Sequence, residues 1–569
     1  MIKRLLIGNY VNKYKKEIDI FFSVYRNNVL EKFYSTSFNK INQDIFDMNI
    51  QEKIENNNKI IFIIDNILKS YIEKKININD HVLNKDDFKF LYSDALVRLT
   101  NLAWFVFCLI KRISYTYNDE ELVIIIPRYK KKFFDKPKYS NDLASLISNP
   151  DFIDYIVSKC FCEVAPSNWK IVYKENLIQK IKLKKSNHTN LLLRFILGLG
   201  RCSHEEFNYF SSLLMGVCFS FKKVKNNIKF SELKRDNFSF DQHNEIPSEF
   251  IDFFLNILDE ALPSYFYNDF YRDFYLISKL PLFKRGYSRL INTYSNSDRF
   301  NLFNLIASKK GENILLFQHG LSYGMRLIMP TASVREFSIG GYISWGWDNH
   351  GVYVKSFFKM PSPKLSEFSK FRTSAKVEKH IMFVGTKMDI NDLTFNAKPI
   401  LLNYLKYRKD KLCFLDFLNR DVLQNLLYRG GAENYQNDLS DSTFLKNKYK
   451  ELKLCKSNFR DNLANCSLAV IDHPTTAFAE SISANIPTIG FWDPNLWHFT
   501  VEADNSLMIL KEMGILFDDP ISAAKKLNQI YPNYEEWWSS AELQYKRREW
   551  CSKYTLINKN WFRKWLSIF

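Results

Sequence analysis

The residues from Val470 to Trp492, VIDHPTTAFAESISANIPTIGFW, set two small hydroxyl side chains between a run suited to a buried strand and one suited to a helix. Leu468 to Ile471 is unbroken apolar chain, as in a parallel strand, and Thr475 and Thr476 stand just ahead of the amphipathic stretch Ala477 to Ala484. Such a turn presents hydroxyls and backbone N–H groups to an anion, and the helix dipole adds favourable potential at that end. Glu480, about one turn in, is placed to reach ribose hydroxyls. Asp472 and His473 open the turn, and the imidazole can hold a phosphate. Asn485-Ile486-Pro487 closes the helix and Thr488 to Phe491 resumes the sheet. A nucleotide or other phosphorylated ligand is the expected occupant, although a polar N-cap also occurs in strand–helix–strand units that bind nothing.

Other groups suit the chemistry that such a ligand would undergo. His319 follows the strand-like run Asn313 to Phe317 and precedes Gly320, where a strand-end loop opens towards a ligand. It can act as general base on an acceptor hydroxyl, titrating near roughly pH 6.5, or donate a hydrogen bond to a leaving phosphate. Glu336 and Asp348 are alternative carboxylate bases on the same half. Arg429, ahead of Gly430-Gly431, supplies a planar fork for a phosphate, or equally a cation at a helix C-terminus. Asp518-Asp519 reads as a turn, and no acidic pair of the kind that holds a metal stands in a suitable loop. Catalysis without a metal is therefore expected, with helix dipole and cations meeting the leaving phosphate.

These groups need elements to position them. A chain of 569 residues with 46% hydrophobic and 16% aromatic content implies two or three cored domains. Strands are expected at Ile60 to Ile64, Glu121 to Pro127, Asn313 to Phe317, Tyr342 to Trp347 and His380 to Gly385. Residues 140 to 300 read as mainly helical. Helices are also expected over Pro399 to Arg408 and Asp421 to Tyr428. The segment from Lys359, KMPSPKLSEFSK, has two prolines and no hydrophobic period, and reads as the main interdomain linker. The expected fold is α/β, with two Rossmann-like domains facing a cleft and a helix-rich N-terminal half. Its parts are an acceptor-side domain over 1–360, a nucleotide-donor domain over 375–545, and a tail over 546–569 that packs back on the N-terminal half. The aromatic and basic tail also has the composition of an interfacial helix.

The net charge of +18 favours anionic partners: a nucleotide, an anionic membrane surface or nucleic acid. No zinc-finger or RRM signature supports nucleic acid, which is not expected as a partner. The nine cysteines show no metal spacing, and suit free thiols in a reducing cytoplasm. The N-terminus lacks the apolar run of a signal peptide, and Leu102 to Ile110 is well short of the roughly 20 residues that cross a bilayer.

The runs FQHGLSYG at 317–324, YISWGW at 342–347, IMFVGT at 381–386 and DHPTTAFAESISANIPTIGFWD at 472–493 resemble a family of transferases encoded in bacterial O-antigen and surface-polysaccharide clusters. That family has a GT-B-like glycosyltransferase pattern. The resemblance covers about 280–569, and departs at Leu321, where members often carry a second glycine. It implies a cytoplasmic enzyme that moves a sugar from a nucleotide-activated donor to a glycan or lipid-linked acceptor. Surface Lys and Arg suit peripheral contact with the inner membrane face, and no cofactor besides the donor is expected. A CDP-polyol-type phosphotransferase would share the architecture and the histidine-glycine loop.

Overall fold

The computed structural model describes residues 3–6, 19–21, 48–76, 83–117, 122–129, 133–174, 181, 246–281 and, with short breaks, 283–567. Among the described residues the strands form three sheets, parallel throughout. The first contains β1 (Lys3–Leu6), β2 (Asp19–Phe21), β3 (Leu122–Pro127) and β4 (Lys170–Lys174), ordered β2-β1-β3-β4. The second runs in chain order through β5 (Ser288–Asn292), β6 (Asn313–Phe317), β7 (Gly341–Ser344) and β8 (Phe357–Lys359). The third contains β9 (Glu378–Val384), β10 (Leu426–Arg429), β11 (Lys453–Leu454), β12 (Cys466–Ile471), β13 (Thr488–Phe491) and β14 (Leu516–Phe517). Its order, β11-β10-β9-β12-β13-β14, reverses direction between β9 and β12, and open sheets take ligands at the carboxyl side of such a switch.

Eight helices matter to the site. They are α1 (Asp94–Thr116), α2 (Asp298–Lys309), α3 (Pro363–Ser374), α4 (Tyr404–Asp416), α5 (Phe459–Asn465), α6 (Thr476–Ser483), α7 (Ala541–Tyr554) and α8 (Trp561–Ser567). Ser93 starts α1 by accepting from the N–H of Leu96. The apolar run Leu102 to Ile110 lies inside α1 and is buried on nearly every face, in a core that also takes Leu302, Leu305 and Ile306 of α2. Among the described residues no helix is long and apolar enough to cross a membrane.

A second core joins the other two sheets, running from Leu316 of β6 through Phe368 of α3 and Phe478 of α6 to Trp550 of α7. The tail crosses back to the second sheet. The N–H of Leu556 donates to the carbonyl of Trp345 at 2.9 Å, and the Trp565 indole packs on Phe317 and donates to the carbonyl of Pro361.

The structure corrects several expectations. Ile60–Ile64 is not a strand. It lies where the helix Ile50–Phe62 continues as a π-helical turn, because Asn49 and Glu52 cap that helix reciprocally and Ile60, Ile63 and Ile64 all face its core. The segment read as a linker is mostly α3: Ser362 caps it, Pro363 occupies its first turn, and Leu365 and Phe368 are buried. Asp421–Tyr428 divides into a single turn, Arg420–Gln424, and β10, whose pairing with β9 overrides helical propensity. α4 begins at Tyr404 and runs beyond the expected end at Arg408. Strands β1 and β2 lie in the half expected to be helix-rich, β4 and β5 lie in the stretch 140–300 read as mainly helical, and 182–245 of that stretch lies outside the described residues.

Candidate active site

The loop after β6 and the turn after β12 meet. The short helix Leu321–Gly324 packs on α6, and a methyl group added at Gly320 would sit 3.4 Å from Thr476 Oγ1. The seam continues as antiparallel backbone pairing. The N–H of Thr500 donates to the carbonyl of Met325 at 2.9 Å, and that of Leu327 to the carbonyl of His498 at 3.1 Å. His319, Thr475, Thr476 and Glu480, separated by more than 150 residues of chain, are thus brought to one junction.

The loop is held from beneath by Gln318. Its Oε1 accepts from the backbone N–H of Trp345 at 2.8 Å and from Trp347 Nε1 at 2.7 Å, while its Nε2 donates to the carbonyl of Gly320 at 2.8 Å. One fully buried amide therefore ties the QHG run to the WGW run and uses its acceptor twice.

His319 stacks edge-on against Tyr323, with centroids 4.7 Å apart and Nε2 3.3 Å from the phenol oxygen. The Tyr323 hydroxyl hydrogen goes to Glu336 Oε1 at 2.9 Å. In the His319 contact the imidazole N–H must then be the donor, which leaves Nδ1 as the basic nitrogen. Burial, with Lys364 adding to it, lowers the His319 pKa to about 4, well below the 6.5 expected from the residue type. The ring is neutral at physiological pH. Glu336 is 1% exposed behind Tyr323, where it fixes the direction of the phenol hydrogen. Asp348 is exposed and paired with Lys359, whose ammonium holds its carboxyl below the usual range.

On the other side, Glu480 is 3% exposed. Lys364 Nζ of α3 lies 3.7 Å from its Oε1, and Arg460 Nε of α5 lies 3.9 Å from it. Burial raises the pKa of Glu480 against the pull of both cations. Arg460 also donates to the carbonyl of Lys364 and lies over the Phe368 ring. Lys364 and Arg460 were missed in the sequence; the Ser-Pro helix start at 362–363 was the one available sign of Lys364. Thr475 is the N-cap of α6, yet its side chain makes no capping bond, and among the described residues neither it nor Thr476 spends its hydroxyl on a protein partner. These are hydroxyls and cations suited to an anion.

Asp472 has a different position. It is buried at the switch between β9 and β12, where its Oδ1 accepts from Tyr407 at 2.6 Å and from His473 Nδ1 at 2.7 Å. Tyr407 in turn accepts from the N–H of Thr386. Lys411, fully buried on α4, bonds Asp441 at 2.6 Å and lies 3.7 Å from Asp472. Burial opposes its charge, but Asp441, Tyr407 and Asp472 outweigh that and hold the ammonium above the usual lysine range. Asp472 and His473 thus brace the floor of the turn that Thr475 and Thr476 edge. Arg429 stands at the end of β10, where its carbonyl accepts from Gly385 and its Nη1 reaches the carbonyl of Cys455 at 3.4 Å. Among the described residues no group of acidic, His or Cys side chains is arranged to hold a metal ion.

No curated protein matches the chain. A family model does, and its match begins far ahead of residue 280, so it takes in nearly all of α1 as well as both motif-bearing sheets. Residues 95–569 match the model described as LIC12162 family transferase, and the chain belongs to that family of transferases.

Proposed function

We propose that this transferase is a glycosyltransferase of GT-B-like, two-domain type that moves a sugar from a nucleotide-activated donor to a surface-polysaccharide acceptor, O-antigen or capsule. The observation that supports it most is the docking of the His319-Gly320 loop on the first turn of α6, which sets a neutral imidazole beside an anion-binding helix start. The donor diphosphate lies along Thr475 and Thr476, with Lys364 and Arg460 nearby. The acceptor oxygen attacks the anomeric carbon as His319 Nδ1 takes its proton. The bond from that carbon to the phosphate oxygen breaks, and the electron pair leaves with the nucleotide. Cations and the helix dipole stabilise that charge without a required metal. The acceptor is a lipid-linked or growing glycan met at the inner membrane face, which suits the +18 charge.

Titration with CMP-, UDP-, GDP- and dTDP-sugars by calorimetry should show one nucleotide class bound, and incubation of that donor with a glycan acceptor should add the mass of one sugar. Addition of a polyol phosphate instead would identify a phosphotransferase, and no nucleotide binding at all would overturn the proposal. His319→Ala should lower turnover by about 10²–10⁴-fold with donor binding intact. Loss of donor binding in that variant would make His319 a phosphate ligand.

A further inference from the structure

A cavity of about 1120 Å³ opens at the carboxyl ends of β3 and β4, and none of its lining residues belongs to the junction of His319 and Glu480. It lies on the carboxyl side of the sheet, the side from which parallel sheets take ligands. Its size slightly exceeds the roughly 300–1,000 Å³ of small-molecule sites, so it has room for more than a single sugar ring.

The wall is built from rings and from polar groups in fixed positions. Tyr129 packs at a tilt against Phe133 and edge-on against Tyr155, with centroids 4.8 and 5.0 Å away. Behind them Tyr155 and Lys159, on one helix, both donate to the Glu260 carboxylate, Lys159 to Oε1 at 2.7 Å. Arg128 is exposed at the rim and has no partner among the described residues. Aromatic rings, with Tyr173 exposed among them, beside an ordered carboxylate and ammonium suit a ligand with apolar C–H faces and many hydroxyls. An acyl chain would take the rings but strip water from the Lys159–Glu260 pair without replacing its hydrogen bonds.

We propose that this cavity is an oligosaccharide-binding site, with the rings stacked on sugar faces, the Lys159–Glu260 pair bonded to hydroxyls, and Arg128 meeting an acidic substituent. Its assignment to the acceptor glycan rests on the glycosyltransferase reading above; oligosaccharide binding itself does not.

The test is titration of the full-length protein with defined neutral and uronate-containing oligosaccharides, without donor, followed by saturation-transfer NMR and tyrosine fluorescence. Binding is expected, tighter for the uronate series, with Tyr129→Ala and Lys159→Met each weakening it tenfold or more. Tyr155→Phe, which keeps the ring and removes only the bond to Glu260, should weaken it several-fold while the melting temperature shows the fold intact. Absence of binding by wild-type protein, equal binding by all three variants, or occupation by a fatty acid and no sugar would overturn the proposal. Oligosaccharide binding by a protein that binds no nucleotide would leave this site standing and remove the glycosyltransferase reading alone.

Discussion

Lys364 Nζ and Glu480 Oε1 face one another at 3.7 Å, one on the helix that leaves the second sheet and the other on the helix that follows β12. The same lysine lowers the His319 pKa, so one cation acts on the candidate base and on the buried carboxylate opposite. The two sides of the junction are electrostatically coupled.

That coupling predicts a pH effect. His319 works as a base only when neutral, so the rate should fall as pH drops through about 4 rather than through 6.5. Removing the Lys364 charge should raise the His319 pKa, while burial keeps it below the ordinary value. In Lys364→Met the acid limb of kcat should move upward from about pH 4. An unmoved limb would show that the lysine does not act on the base.

Glu480→Gln tests the other partner. Without the carboxylate, Lys364 and Arg460 face the junction with their charge uncompensated, and a donor diphosphate should bind at least as tightly unless Glu480 holds the ribose. If it does, affinity should fall by about 1–3 kcal/mol, the cost of a lost bond to a charged group. Calorimetry with the donor nucleotide separates the two outcomes, and a melting curve checks that the fold is kept.

Much of this was legible in the chain. The apolar runs at Asn313–Phe317 and Thr488–Phe491 coincide with β6 and β13, because a strand buried on both faces needs no alternation and leaves an unbroken signal. The His319 loop and the Thr475 turn were legible for the same reason, since each follows such a strand. What the sequence hid is tertiary. α3 has little hydrophobic period, because it buries only Pro363, Leu365, Ser366 and Phe368, and so it passes for a linker although it carries Lys364 into the site. Ile60–Ile64 has β-branched composition but is fixed as helix by the cap at Asn49 and by burial of its isoleucines. The relay from His319 through Tyr323 to Glu336 depends on side-chain directions that no spacing encodes.

The floor of the α6 turn should be sensitive to charge balance. Lys411 is fully buried between Asp441 and Asp472, and removing one partner of a buried ionic cluster leaves the others uncompensated. Lys411→Met should cost roughly 3–5 kcal/mol in urea unfolding, with Arg408, bonded to Asp441 at 2.9 Å, limiting the loss. A change below about 1 kcal/mol would mean that the cluster does not brace the turn.

His350 offers a pH test of the packing behind the QHG loop. It is fully buried among Phe337, Trp347 and Tyr353, and burial lowers its pKa to about 3. In the unfolded chain it takes a proton near pH 6.5, so between about 6.5 and 3 the unfolded state binds more protons than the folded one. Stability from this residue is therefore fully present above pH 6.5 and is lost as pH falls through that window. His350→Leu, of similar bulk and with no titrating group, should flatten part of the decline of Tm between pH 7 and 4 relative to the natural chain. Equal slopes in the two proteins would show that His350 takes up its proton in the folded state as readily as in the unfolded one.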